Sequence, residues 1–190
     1  QWRGRVRLTH LGVPDRSAAR YAARLGIPEA YHPLGYVSSW ASAQLQADAS
    51  ALFLCLAHSR TGDQNDCVPQ KTYEYLAAGP PILAAVSAGD ARGLLLSAGH
   101  DLVCYTTDVP ALASAIGRLA EIAEGRRPSP VPDWEFIAQF RASNLTARLA
   151  AVFRVVLNGA ATLDELGEFP RHDASSPRTT SAVVPHAAVA

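Results

Sequence analysis

The chain holds 190 residues, enough for one domain with residues to spare or for two very small ones. Seventeen Lys plus Arg balance seventeen Asp plus Glu, which argues against a general nucleic-acid binder with its basic excess. Hydrophobic residues at 48% argue against a disordered tail protein, and aromatics at 7% imply a mostly aliphatic core.

Methionine is absent even at position 1, so the expectation is a processed product or, in better agreement with the core-like opening, a fragment. No stretch approaches the roughly 20 apolar residues of a membrane span, and no apolar signal core is present. Cys55, Cys67 and Cys104 are odd in number and widely spaced, which predicts buried free thiols in a reducing compartment and a cytoplasmic chain.

The first element is a strand over residues 6–11, ended by Gly12. A helix over 16–25 follows, with Ala18, Ala19, Ala22, Ala23 and Leu25 facing inward and Gly26 as its stop. Residues 31–36 read as a short strand in which His32, before Pro33, marks a turn. Ser38 and Ser39 then offer N-caps for a helix over 40–48. Residues 51–57 are seven consecutive apolar residues, the pattern of a strand buried on both faces in a parallel sheet.

A polar loop over 58–68 is long for such a connection, and long ordered loops are often functional. Pro69 suits the first turn of a helix reaching Ala78, stopped at Gly79-Pro80-Pro81. Residues 82–86 make another apolar strand, 92–98 a helix stopped by Gly99, 101–105 a strand, and 109–124 a long amphipathic helix. A basic, proline-rich linker over 125–132 leads to a last helix over 134–157, broken near Ser143-Asn144. Residues 159–190 lose all periodicity and are expected to be a disordered tail, leaving 1–158 as the folded domain.

Strands alternating with helices give the fold class: α/β, an open doubly wound, mainly parallel, Rossmann-like sheet. Ligands of such sheets sit at the carboxyl ends of the strands. The chemistry is therefore sought in the loop after Ala57 and the helix that follows.

On that helix Lys71 and Glu74 are three residues apart and share a face, with Glu74 roughly 4.5 Å further along the axis. Ala78 continues the face with a small side chain. The free backbone N–H groups over Val68, Pro69, Gln70 and Lys71, and the positive helix end, favour an anion there. Lys71 adds a full charge to the same corner. One turn deeper, Glu74 is an acceptor suited to the two hydroxyls of a vicinal diol such as ribose. Together they make a phosphate site and a diol site at a nucleotide's spacing. A lone Lys–Glu pair at this spacing is ordinarily a surface pair, and it is the position behind a buried strand that shifts the balance.

The segment Val68-Pro69-Gln70-Lys71-Thr72-Tyr73-Glu74-Tyr75-Leu76-Ala77-Ala78-Gly79-Pro80-Pro81-Ile82-Leu83-Ala84 closely resembles the donor site of retaining GT-B glycosyltransferases, the group 1 or family-four type. The resemblance extends more generically over about residues 6–157. It implies the C-terminal half of a GT-B architecture, with 1–158 as a nucleotide-sugar donor-binding domain lacking its first strand and helix. Those elements and the acceptor domain would lie before Gln1, and the chain alone is expected to be inactive.

The family carries two acidic residues with seven between them, usually both Glu. By resemblance Glu74 binds the donor ribose, and Asp66, one methylene shorter than the usual Glu, faces the transferred sugar. Lys71 stands near the phosphates. Gly35-Tyr36-Val37-Ser38 looks like the strand end where backbone meets the nucleotide base.

The expected activity is transfer of a hexose from a nucleotide-diphosphate sugar to an acceptor hydroxyl with retention, in cell-envelope or exopolysaccharide synthesis. The acceptor is a glycan, a lipid-linked molecule or a small molecule. No cofactor and no metal are implied. Asp66 and Lys71 are the catalytic candidates, and Tyr36, Val37, Asp66, Val68, Pro69, Gln70, Lys71 and Glu74 the donor-binding ones.

Two alternatives stay open: a nucleotide-sugar epimerase, and a non-catalytic nucleotide-binding module of the same fold. His58, Asp63 and Asp66 match no tetrahedral metal spacing. Neither a Gly-x-Gly-x-x-Gly after a strand nor a Gly-x-x-x-x-Gly-Lys is present, which disfavours dinucleotide oxidoreductases and P-loop hydrolases. Any membrane contact is expected to be peripheral, at the inner face and through the half not present here, with Arg126-Arg127 as a lesser lipid candidate.

Overall fold

A computed structural model describes residues 4–56 and 64–158. Its elements run β1 (Leu8–Leu11), α1 (Arg16–Arg24), β2 (Tyr31–Gly35), α2 (Ser39–Ala47), β3 (Leu52–Cys55), α3 (Gln70–Ala78), β4 (Ile82–Ala85), α4 (Asp90–Ser97), β5 (Val103–Cys104), α5 (Val109–Ala123), α6 (Trp134–Ala138) and α7 (Ala142–Asn158). A 3-10 turn at Pro28–Ala30 leads into β2. His58 and Asp63, and the expectation of a disordered tail over 159–190, lie outside the described residues.

The fold is α/β and every strand pairing is parallel, but the strands form two small sheets. One pairs β1 with β2, and the other has the order β3-β4-β5. The single open sheet expected from the sequence is not formed among the described residues. β3 spends its hydrogen bonds on β4, Leu52 N donating to Pro81 O and Leu56 N to Ala85 O. Among the described residues no ladder joins its other edge to β1. Apolar periodicity marks a strand and its faces, whereas pairing is settled by contacts distant in sequence.

The core lies on both faces of β4, whose four residues are all buried. Ile82, Ala84 and Val86 face Leu76 of α3 and Leu94 and Leu95 of α4, with Leu52 and Leu54 from β3 and Ile137 from α6. Leu83 faces the other way, toward Leu102, Cys104 and the α5 stripe of Ala115, Leu112, Ile116, Leu119 and Ile122. Fully burying such aliphatic side chains contributes about 1.5–3 kcal/mol each.

The expectation of a strand buried on both faces fits β4 and fails for β3. There Leu52 and Leu54 are buried while Phe53, 37% exposed, and Cys55 look outward. α5 covers β4 and β5 on that side and stops short of β3. The same gap corrects the thiols: Cys104 is buried, but Cys55 and Cys67 are exposed.

Further corrections are local. On α1 only Ala22 is buried, so the inward face is narrower than the alanines suggested, and Leu25 is exposed. His32 and Pro33 lie inside β2, an edge strand where a residue without an N–H is tolerated. The last helix breaks at residues 139–141, before Ser143-Asn144, and the Asn144 side chain donates from Nδ2 to Ala138 O at 2.7 Å. Asn144 thus serves the break by satisfying a helix-end carbonyl. Helix starts follow side-chain caps: Asp15, Ser38, Asp108 and Asp133 each accept from a first-turn N–H. Gly79, at φ +97°, ends α3 in the left-handed conformation.

Candidate functional site

α2 and α3 are neighbours, and between them opens a cleft of about 700 Å³. Its floor is the end of β1, Leu11 and Gly12. Gly12, at φ +105°, bends the chain away there, and its N–H donates to Gly35 O at 2.8 Å, tying the ends of β1 and β2 together. Tyr36 and Val37, just beyond β2, form the rim, and Tyr36 is 84% exposed. One wall is α2, presenting Ser39, Ser42, Ala43, Gln46 and Ala47. The opposite wall is α3, presenting Lys71, Glu74, Ala77 and Ala78.

The α3 wall follows from helical geometry, since positions 71, 74 and 78 fall on one stripe. Leu76 and Thr72 point the other way and are buried. Tyr73 turns to Phe140, with ring centroids 5.4 Å apart. Gln70 Nε2 donates to Glu74 Oε1 at 3.0 Å, steadying the carboxylate. Burial and then the Glu74 charge push the Tyr75 hydroxyl above its usual range, so it stays neutral.

α3 starts without a side-chain cap and without an acidic residue in its first turn, so its own sequence leaves the positive end uncompensated. Pro69 is the N-cap and has no N–H to offer, which corrects its place in the expected donor set. The first-turn N–H groups of Gln70 and Lys71 have no intrahelical acceptor. Thr72 N already bonds Pro69 O at 2.9 Å.

Of the sequence-predicted residues, Tyr36, Val37, Lys71 and Glu74 come together in this cleft, and Gln70 reaches it through Glu74. The Val68 side chain is instead partly buried against the core cluster that includes β4. Asp66 is exposed, outside the lining, and accepts from Gln64 Nε2 at 2.9 Å. Its segment is fixed from behind. Asn65 N donates to Ala88 O at 2.7 Å, and Asn65 Oδ1 accepts from Cys67 N at 3.0 Å. Gly89 leaves room for the Asn65 carbonyl. The described residues hold no group of three His, Cys, Asp or Glu able to bind a metal.

Two signals were readable and unused. Ser39, Ser42 and Gln46 recur at i, i+3 and i+7, a polar stripe on an otherwise alanine-rich helix, and Gln46 Nε2 donates to Ser42 Oγ at 3.0 Å inside the cleft. Lys71 is also the only lysine among the seventeen basic residues; all the others are arginine. A compact ammonium on a flexible stem differs from a planar guanidinium fork, so its position in the cleft is distinctive.

The chain matches no family model, and no curated protein and no solved structure resembles it significantly.

Proposed function

We propose that the cleft between α2 and α3 binds a nucleotide-diphosphate sugar, and that the chain is the donor-binding part of a retaining hexosyltransferase with a Rossmann-like, doubly wound ancestry. The observation that carries this reading is the convergence of Tyr36, Val37, Lys71 and Glu74 on one cleft. Its volume of about 700 Å³ falls within the usual range of small-molecule sites, roughly 300–1,000 Å³.

Each part of the ligand has a matching group. The diphosphate suits the uncapped start of α3, where the dipole and Lys71 act together. The ribose hydroxyls suit Glu74, an acceptor one turn deeper. The base suits the rim, where the exposed Tyr36 ring offers a stacking face.

In transfer with retention, negative charge grows on the leaving diphosphate as the sugar acquires oxocarbenium character. Donors already aimed at that charge lower the barrier, and in this reading Lys71, which lines the cleft, is one. Asp66 stands on the loop leading into α3 and, by the resemblance, is the carboxylate toward the sugar. Its place outside the cleft lining supports nucleotide binding more directly than turnover in this chain. That is the specific observation favouring the second reading, a non-catalytic nucleotide-binding module.

Titration calorimetry of the 190-residue chain with uridine and guanosine diphosphates tests the shared claim. Saturable binding of one of them, lost in Glu74→Ala, is expected. Absence of binding by either would overturn both readings.

A further inference from the structure

α3 walls a second cavity on a flank other than the one facing the nucleotide cleft. Positions 73 and 76 turn there, 71, 74 and 78 keep to the cleft, and Ala77 borders both. This cavity holds about 180 Å³ and lies between α3 and α6. Leu76 and Ile137, both buried in the core, give it an aliphatic side, and Tyr73, Trp134 and Phe140 supply rings. The Phe140 ring is braced by Tyr73 and, edge-on at 5.5 Å, by Phe136. Trp134 comes over Gly79, close enough that a Cβ there would meet it at 3.6 Å. An apolar cavity of about 150 Å³ takes benzene, so this one has room for a single six-membered ring and a short substituent.

The polar side chains of the lining specify that substituent. They are the Tyr73 hydroxyl, the Trp134 indole N–H and the Arg141 guanidinium, and among the described residues of the lining there is no carboxylate, amide or imidazole. Two of the three can only donate. None has a side-chain hydrogen bond among the described residues, and Arg141 joins no ion pair there. Ala138 O, a carbonyl freed by the helix break, is already taken by Asn144 Nδ2 and Arg141 N.

The local field also favours an anion. α7 begins one residue after Arg141 with no acidic residue in its first turn, which adds its positive end to the guanidinium. The negative ends of α3 and α6 oppose this, but each is worth at most about half a charge. The full charge of Arg141 together with the α7 end outweighs them. Aromatic rings attract cations as well, yet a cation here would meet Arg141.

We propose that this cavity is a second binding site, for a single-ring aromatic carboxylate, with the ring among Tyr73, Trp134 and Phe140 and the acid on Arg141. The proposal does not rest on the nucleotide reading, since Lys71 and Glu74 take no part in it and the two ligands are titrated separately.

The test is titration calorimetry of the 190-residue chain with phenylacetate, with phenethylamine and with acetate. Phenylacetate should saturate with a Kd on the order of 0.1–1 mM, within the reach of a ligand of about ten heavy atoms. Phenethylamine carries the same ring with the opposite charge, acetate carries the acid without the ring, and neither should saturate in that range. Arg141→Gln should weaken phenylacetate binding roughly tenfold, as a charged hydrogen bond is lost. Trp134→Phe, which keeps a ring and removes the N–H, should weaken it about two- to five-fold. Both residues are exposed, so an unchanged unfolding midpoint in each variant shows that folding is intact. Absence of saturation by phenylacetate, equal binding of the amine or of acetate, or full affinity in Arg141→Gln would overturn the proposal.

Discussion

Gln70 and Glu74 are one helical turn apart and joined side chain to side chain, Nε2 to Oε1, at 3.0 Å. The bond fixes a carboxylate that would otherwise sample several rotamers in the cleft, and it leaves other lone pairs for a ligand. Gln70→Ala should therefore weaken binding of the preferred nucleoside diphosphate roughly two- to five-fold, the worth of one ordinary hydrogen bond. Glu74→Ala should weaken it by more than about tenfold, since bonds to a charged acceptor are stronger. Calorimetry on the two variants checks the order, and a larger loss in Gln70→Ala would contradict it.

The single lysine makes a direct footprint possible. Reductive methylation can modify only the α-amino group and Lys71. A saturating nucleoside diphosphate should slow modification of Lys71 severalfold and leave the α-amino group unaffected. Mass spectrometry of the digested chain reads both sites in one sample. Equal rates with and without nucleotide would remove Lys71 from the phosphate site.

Gly89→Ala should unfold the approach to α3 from a distance. Gly89 has φ +135°, and a Cβ built there would lie 2.1 Å from the Asn65 carbonyl oxygen. The strained backbone costs about 1–3 kcal/mol before the clash is counted. The denaturant midpoint should fall accordingly, and displacement of the Asn65–Ala88 bond should carry Asp66 with it. A midpoint within about 0.5 kcal/mol of the parent, typical of a neutral surface change, would show that the loop is not held in this way.

Acid should destabilise the fold through His100. The ring is 2% exposed, and neither nitrogen has a hydrogen-bond partner among the described residues. Burial lowers its pKa, while the neighbouring Asp101 opposes with a smaller upward pull. The folded pKa thus lies below the unfolded one. As pH falls through about 6.5 the unfolded chain takes up the proton first, and stability falls. Thermal midpoints should decline from neutral pH toward pH 5 and be flatter in His100→Leu, which removes the group without leaving an orphaned partner. An unchanged slope in that variant would assign the acid sensitivity elsewhere.

Much of the fold is local information and was legible as such. Ser38 before a helix, Gly79 after one, and the 3.6-residue stripe of Leu112, Ala115, Ile116, Leu119 and Ile122 each reveal an element by near neighbours alone. The α3 face of the cleft was equally legible, because Lys71 and Glu74 are tied by helical geometry. The α2 wall was missed: Ser39, Ser42 and Gln46 gain meaning only when another helix stands opposite. β3 and β4 show the limit most clearly. Both are short apolar runs, yet β4 is covered on two sides and β3 on one, a difference made by where α5 lies after β5.

The division into two sheets has a consequence for handling the protein. β1 and β3 each keep one flank whose amide and carbonyl groups belong to no ladder among the described residues, beside the outward-facing Phe53. Such a flank templates the addition of any extended peptide, and a crowded solution supplies one from every neighbouring molecule. Aggregation of this chain should accordingly scale with its concentration even far below the melting temperature.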